Sequence, residues 1–202
     1  MVRWLDLSIN ARVALCLIYA EEMIPKLKAI IDSSDEAEKY SQGRQQINDI
    51  LDLAWSHLKD KGHVDYSEMY ALCSEGAGWT EDVKYGGYGY FDFVIELNCS
   101  NSEDSIAISN MMIFCFYYAM YCFAKRQNEK YLPQDIEWFD IKGSEEEAFS
   151  LIDKVIGLFI PIKELQKIGK LTENLHKLYP FNKDDPYGEY ISKEEVSGFA
   201  DI

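Results

Sequence analysis

Residues 105–124 read SIAISNMMIFCFYYAMYCFA, a run without a charge in a chain of which 27% is charged. Wound as a helix, Ile106, Met111, Ile113, Phe114, Phe116, Ala119 and Phe123 spread apolar surface over nearly the whole circumference. Such a helix belongs in a membrane or at the centre of a bundle. Polar residues argue for the bundle: Ser105, Ser109 and Asn110 occupy the first turns, and Tyr117, Tyr118 and Tyr121 do not form two interfacial belts. Amphipathic segments on both sides in sequence also need something to pack against. The run is read as a central apolar helix over 104–130, stopped by the cations of KRQNEK and by Pro133.

Before it, Ile9, Val13, Leu17, Ala20 and Ile24 recur at spacings of three and four behind Ser8, a candidate N-cap, while Asn10, Arg12, Glu21 and Glu22 take polar positions. Pro25 is expected to kink or restart this helix. A second helix is expected over Asp35 to Lys59, with Ile47, Ile50, Leu51, Ala54 and Leu58 on one side and Gly62 as its cap. A short third opens at Asp65. Ser144, with Glu147 three residues later, reads as a capping box that starts a helix to about Phe159, and another runs from about Ile162 to Leu178.

The helical period fails between 75 and 97. Phe91, Phe93, Ile95 and Leu97 alternate with Tyr90, Asp92, Val94 and Glu96, as in a strand, and Gly86-Gly87 can turn a hairpin. Phe91, Val94 and Ile95 on one helical face fit almost as well. An irregular, tyrosine-rich loop with at most one small hairpin near 83–97 is expected. The polar tail 181–202 is expected to be loosely packed apart from a short helix at SKEEV. No linker or repeat divides the chain, so the pattern predicts one all-α domain over 1–202, a helical bundle large enough for a full core.

Charge narrows the partners. The 35 acidic and 20 basic side chains leave a net charge of -15, which repels nucleic acid and anionic lipid and speeds encounter with a basic partner. Cys16, Cys73, Cys99, Cys115 and Cys122 are odd in number and form no C-x-x-C pair, the pattern of buried free thiols in a reducing cytosol. The apolar stretch Val13 to Ala20 is short and flanked by acids, unlike a secretory signal. Glu173 and His176 make one E-x-x-H, but a di-iron bundle needs a second, and the sequence has none. No nucleophile elbow, zincin motif or P-loop occurs. No catalytic residue, cofactor or metal ligand set is expected.

Three segments appear in order: LSINARVALCLIYAEEMIPKL, ILDLAWSHLKDKGHVDYSEMYAL and CFYYAMYCFAKRQNEKYLPQDIEWF. Their acidic residue and proline, tryptophan segment, and aromatic helix followed by proline and glutamate carry a likeness. Over roughly residues 5 to 155 the chain resembles the all-α immunity proteins of bacterial polymorphic toxin, or contact-dependent inhibition, systems. The resemblance implies a cytoplasmic protein, not an enzyme, that binds and neutralises a cognate toxin C-terminal domain. Many such toxins are nucleases, whose basic faces an acidic inhibitor can cover. Aromatic anchors with a polar rim favour interfaces, and the expected toxin-facing patch is Glu75, Trp79, Glu81, Asp82, Tyr85, Tyr88, Tyr90 and Asp92. Trp55 and Trp138 are assigned to the core or its rim. The alternative is a helical bundle that binds a small ligand or acts as an enzyme, with a concave pocket that draws on Glu173 and His176.

Overall fold

A computed structural model describes residues 4–32, 41–76 and 103–198. Trp4–Asp6 form a 3-10 turn, followed by α1 (Ile9–Asp32), α2 (Ser41–Lys59), α3 (Ser67–Gly76) and α4 (Glu103–Arg126). α5 (Gln134–Glu137) runs into a second 3-10 turn (Trp138–Asp140), and α6 (Ser144–Phe159), α7 (Ile162–Leu178) and α8 (Lys193–Ser197) complete the order. Among the described residues the β pairing is one isolated bridge, Leu7 to Pro180. The fold is the expected all-α bundle. The expected hairpin near 83–97 lies outside the described residues.

α4 is the central element. It packs most extensively on α1 and also meets α2, α3, α5 and α6. Met111, Met112, Cys115, Phe116, Tyr118, Ala119, Met120 and Phe123 are all buried, while Ile113, Phe114 and Tyr121 on the remaining side are half-buried, which accounts for a run without a polar stripe. No helix among the described residues is long and apolar enough to cross a membrane. α7, on the outside, buries only Ile168, Leu171 and Leu175, a single stripe at spacings of three and four.

Several helix ends differ from the sequence expectation. α4 stops at Arg126, four residues short of 130, because Asn128 takes a left-handed conformation (φ 59°). The N–H groups of Asn128 and Glu129 then turn back to the carbonyls of Lys125 and Ala124, both at 3.0 Å, a Schellman closure. Gly62 does not cap α2. Its N–H goes to Asp60 Oδ1 at 2.8 Å, and the α2 terminus is closed by Arg126 Nη2, which donates to the His57 and Asp60 carbonyls at 3.1 and 3.3 Å. The capping box at Ser144 does not form either. Gly143, at φ 93°, is the N-cap of α6, and Ser144 Oγ donates to the Ile141 carbonyl at 2.7 Å. A capping box does form at α8, between Ser192 and Glu195. α1 runs through Pro25 as one helix.

The tail up to residue 198 hydrogen-bonds back to the start of the chain, although residues 181–185 are exposed. Phe181 N–H donates to the Asp6 carbonyl, and Ser8, Ile9 and Asn10 N–H groups donate to the carbonyls of Tyr179, Pro186 and Tyr187, at 2.9 to 3.2 Å. Ile191 and Val196 are buried. This covering also buries Asn10 and Arg12, which periodicity places among polar positions. Asn10 Nδ2 reaches the Glu189 carbonyl at 3.1 Å, and Arg12 donates to the Leu7 and Leu5 carbonyls at 3.1 and 3.2 Å, so neither is buried without partners.

Candidate functional site

Pro133 opens the segment that forms one wall of an open apolar groove. Its carbonyl accepts from the Ile136 and Glu137 N–H groups at 3.0 and 2.8 Å, starting the single turn of α5. The chain then tightens into the Trp138–Asp140 turn, where successive side chains diverge. Phe139 points inward, buried against the rings of Tyr118 at 5.4 Å and Tyr121 at 5.5 Å. Trp138 remains half-buried, its ring 5.5 Å from that of Phe114 on α4.

Between α4 and this turn lies a groove of about 690 Å³ lined by Ile113, Phe114, Tyr117, Glu137, Trp138, Asp140 and Ile141. Ile141 is 60% exposed beside these half-buried rings, and an apolar patch rimmed by charge is characteristic of protein interaction sites. Asp140 is held in place: Tyr121 donates to its Oδ1 at 3.0 Å and Lys125 Nζ to its Oδ2 at 2.8 Å. Burial, and then the hydrogen bond to Asp140, push the Tyr121 phenol well above its ordinary range, so it remains a neutral donor at physiological pH. Glu137 is exposed on the rim.

From Asp135 to Glu147 the chain carries six acidic residues and one lysine. The adjoining depression is mixed in charge, with Arg12, Lys125 and Lys142 beside Asp140, Glu145 and Glu146. The negative bias of the groove therefore comes from its Glu137 side. Aromatic anchors with an acidic rim suit a basic protein surface.

Of the residues expected to face a partner, Glu75 falls in the last turn of α3. Trp79, Glu81, Asp82, Tyr85, Tyr88, Tyr90 and Asp92 lie outside the described residues. α3 nonetheless borders the groove, since Tyr70 stacks on Tyr117 with ring centroids 6.3 Å apart. Trp138 sits at the rim, and Trp55 lies in the core with its indole N–H on Glu21 Oε1 at 2.7 Å. Glu173 is exposed at the edge of a separate cavity that His176 does not line. No group of three or more His, Cys, Asp or Glu side chains suited to a metal ion occurs among the described residues.

Sequence reading did not single out Glu137, Asp140 and Ile141 as candidates. The signal is present in QDIEWFDI, which interleaves acids with aromatic and aliphatic residues as the stretch 75–92 does. The preceding proline makes it read as a stop for the central helix. Compared with protein families, curated proteins and solved structures, the chain matches none.

Proposed function

We propose that this protein is an immunity protein of the cytoplasm, which binds the C-terminal domain of a cognate bacterial toxin and neutralises it by covering a basic surface. The observation that supports this best is the groove in which Phe114, Trp138 and Ile141 offer apolar anchors beneath Glu137 and Asp140. The chain as a whole carries a net charge of -15. Long-range attraction raises the rate of encounter with a basic partner, and burial of the ring and aliphatic anchors slows release. A nuclease is the target class that best fits these two features, because its phosphate-binding face is basic. The protein acts by occupancy and needs no cofactor for it.

The first test is genomic: a large secreted protein should be encoded beside this chain, and its C-terminal domain then serves as the partner. Co-expression should protect cells from that domain, and the purified proteins should form a complex. Glu137→Lys should slow association and flatten its salt dependence, while Trp138→Ala should chiefly accelerate dissociation. A toxin domain that neither binds this protein nor loses toxicity in its presence rules the proposal out.

A further inference from the structure

Between α1, α6 and α7 lies a cavity of about 320 Å³ that toxin capture does not use. Gly157 of α6 and Gly169 of α7 both line it, and a Cβ built on either would meet nothing within 4 Å. Neither glycine has a positive φ, so no left-handed backbone requires it. Each weakens its helix relative to alanine. Both glycines are solvent-exposed, so the cavity is open on their side.

The walls are apolar on one side and polar at one end. Leu7, Leu15, Ile156, Leu165 and Ile168 supply the aliphatic surface. Trp4 and Tyr19 meet edge to face with centroids 5.6 Å apart. Asp153 Oδ1 accepts from Trp4 Nε1 at 3.1 Å, and Glu173 contributes a second carboxylate to the lining. Thr172, which hydrogen-bonds with the Tyr19 hydroxyl, is itself satisfied by the Ile168 carbonyl at 2.8 Å. Burial raises the Asp153 carboxyl above its ordinary range, and the Trp4 bond only partly offsets this. Asp153 nonetheless stays solvent-exposed, and no ion pair to its carboxylate occurs among the described residues.

We propose that this cavity binds a small hydrophobic amine, its ring or alkyl chain between Leu15, Ile156 and Ile168 and its ammonium group at the Asp153 carboxylate beside Glu173 and the aromatic rings. Two carboxylates and two electron-rich rings around one apolar space favour a cation and repel a carboxylic acid. A neutral alcohol offers the two carboxylates no opposite charge. The volume lies at the lower end of the roughly 300–1,000 Å³ range of small-molecule sites, which suits a one-ring ligand.

Calorimetric titration of the full chain with phenethylamine, 2-phenylethanol and 3-phenylpropionate tests this. The amine should bind, the alcohol about tenfold or more weakly, and the acid not measurably. Gly157→Leu and Gly169→Leu place a better helix former in open space, so each should keep the fold and its melting temperature while abolishing amine binding. Asp153→Asn should remove the preference for amine over alcohol. Absence of amine binding, equal binding of all three probes, or binding that survives both leucine variants would overturn the proposal. The cavity and the groove share no residue, so toxin binding and amine binding can fail independently.

Discussion

The Trp55 indole nitrogen on α2 donates to Glu21 Oε1 on α1 at 2.7 Å, and the same oxygen meets Lys193 Nζ of α8 at 2.7 Å. One carboxylate oxygen therefore joins three helices. Trp55 is 5% exposed, so its indole N–H is largely shielded from water. Glu21→Ala should cost about 1–3 kcal/mol, the range for stranding a buried donor. Glu21→Gln keeps an acceptor for the indole and loses only the partly exposed ion pair to Lys193, worth about 0–1 kcal/mol. Urea unfolding should rank the variants in that order with little change in m-value. Equal losses would assign the stabilisation to charge instead of to the tryptophan acceptor.

Gly188 holds the tail against the start of α1. Its φ is +67°, and a Cβ there would lie 2.9 Å from Ser8 Cβ and 3.0 Å from Ser8 Oγ. Ser8 cannot retreat easily, because it is fully buried and its Oγ accepts the Ala11 N–H at 3.3 Å. Gly188→Ala combines left-handed strain with overpacking and should destabilise the protein by about 2 kcal/mol or more. Loss of hydrogen-exchange protection at the Ile9 and Asn10 amides, which bond to Pro186 and Tyr187, should accompany it. A variant as stable as the parent would show that the tail docks without this close approach.

His57 gives the protein an acid-sensitive contribution. Burial lowers its pKa from 6.5; Arg126 lowers it further, while Asp60, Asp65 and Glu68 act the other way. Its Nε2 is buried without a partner, and its ring lies edge-on to Phe123 at 5.8 Å. Because the folded imidazole resists protonation, the unfolded chain takes up the proton first as the pH falls below about 6.5. The contribution is complete above that pH and is lost down to the folded pKa. Glu22 works in the opposite sense, since burial and then Glu164 raise its carboxyl and make the fold take up a proton before the unfolded chain does. Comparing the parent with His57→Gln separates the two: the parent should lose more stability than the variant between about pH 7.5 and about pH 5.5. Parallel urea midpoints across that range would count against the histidine.

Local signals brought out the elements whose contacts are local. α6 and α7 fall on the bounds expected from Ser144 to Phe159 and Ile162 to Leu178, because the apolar stripe and Pro161 are both short-range features. The central position of α4 followed from its all-round apolar surface. Long-range covering was not legible. Arg12 reads as a surface residue until Leu5, Leu7 and Glu145 surround it, and Asn10 until Glu189 reaches it from the far end of the chain. The groove was not legible: Trp138 was assigned to the core or its rim, apart from the expected partner patch, and its partner Phe114 is 24 residues earlier, a pairing that no periodicity marks.

The end of α4 provides a test of backbone chemistry alone. Asn128 sits at φ 59°, with its N–H on Lys125 and the Glu129 N–H on Ala124. The bend matters beyond the helix, because it places Glu129 Oε2 where Tyr66 donates to it at 2.7 Å and Gln127 where its Nε2 reaches the Val64 carbonyl at 2.9 Å. The turn thus clamps the segment that leads into α3. Glycine is the residue best suited to a left-handed cap, so Asn128→Gly should be neutral or stabilise by up to about 1 kcal/mol. Asn128→Val should cost about 1–2 kcal/mol, since a β-branched side chain is poorly accommodated there. Thermal melts of the two variants should therefore move apart, and the tyrosine near-ultraviolet signal of Tyr66 should weaken only in the valine form. If valine is tolerated as well as glycine, α4 does not depend on this left-handed stop, and its end is set by the tertiary contacts of Gln127 and Glu129.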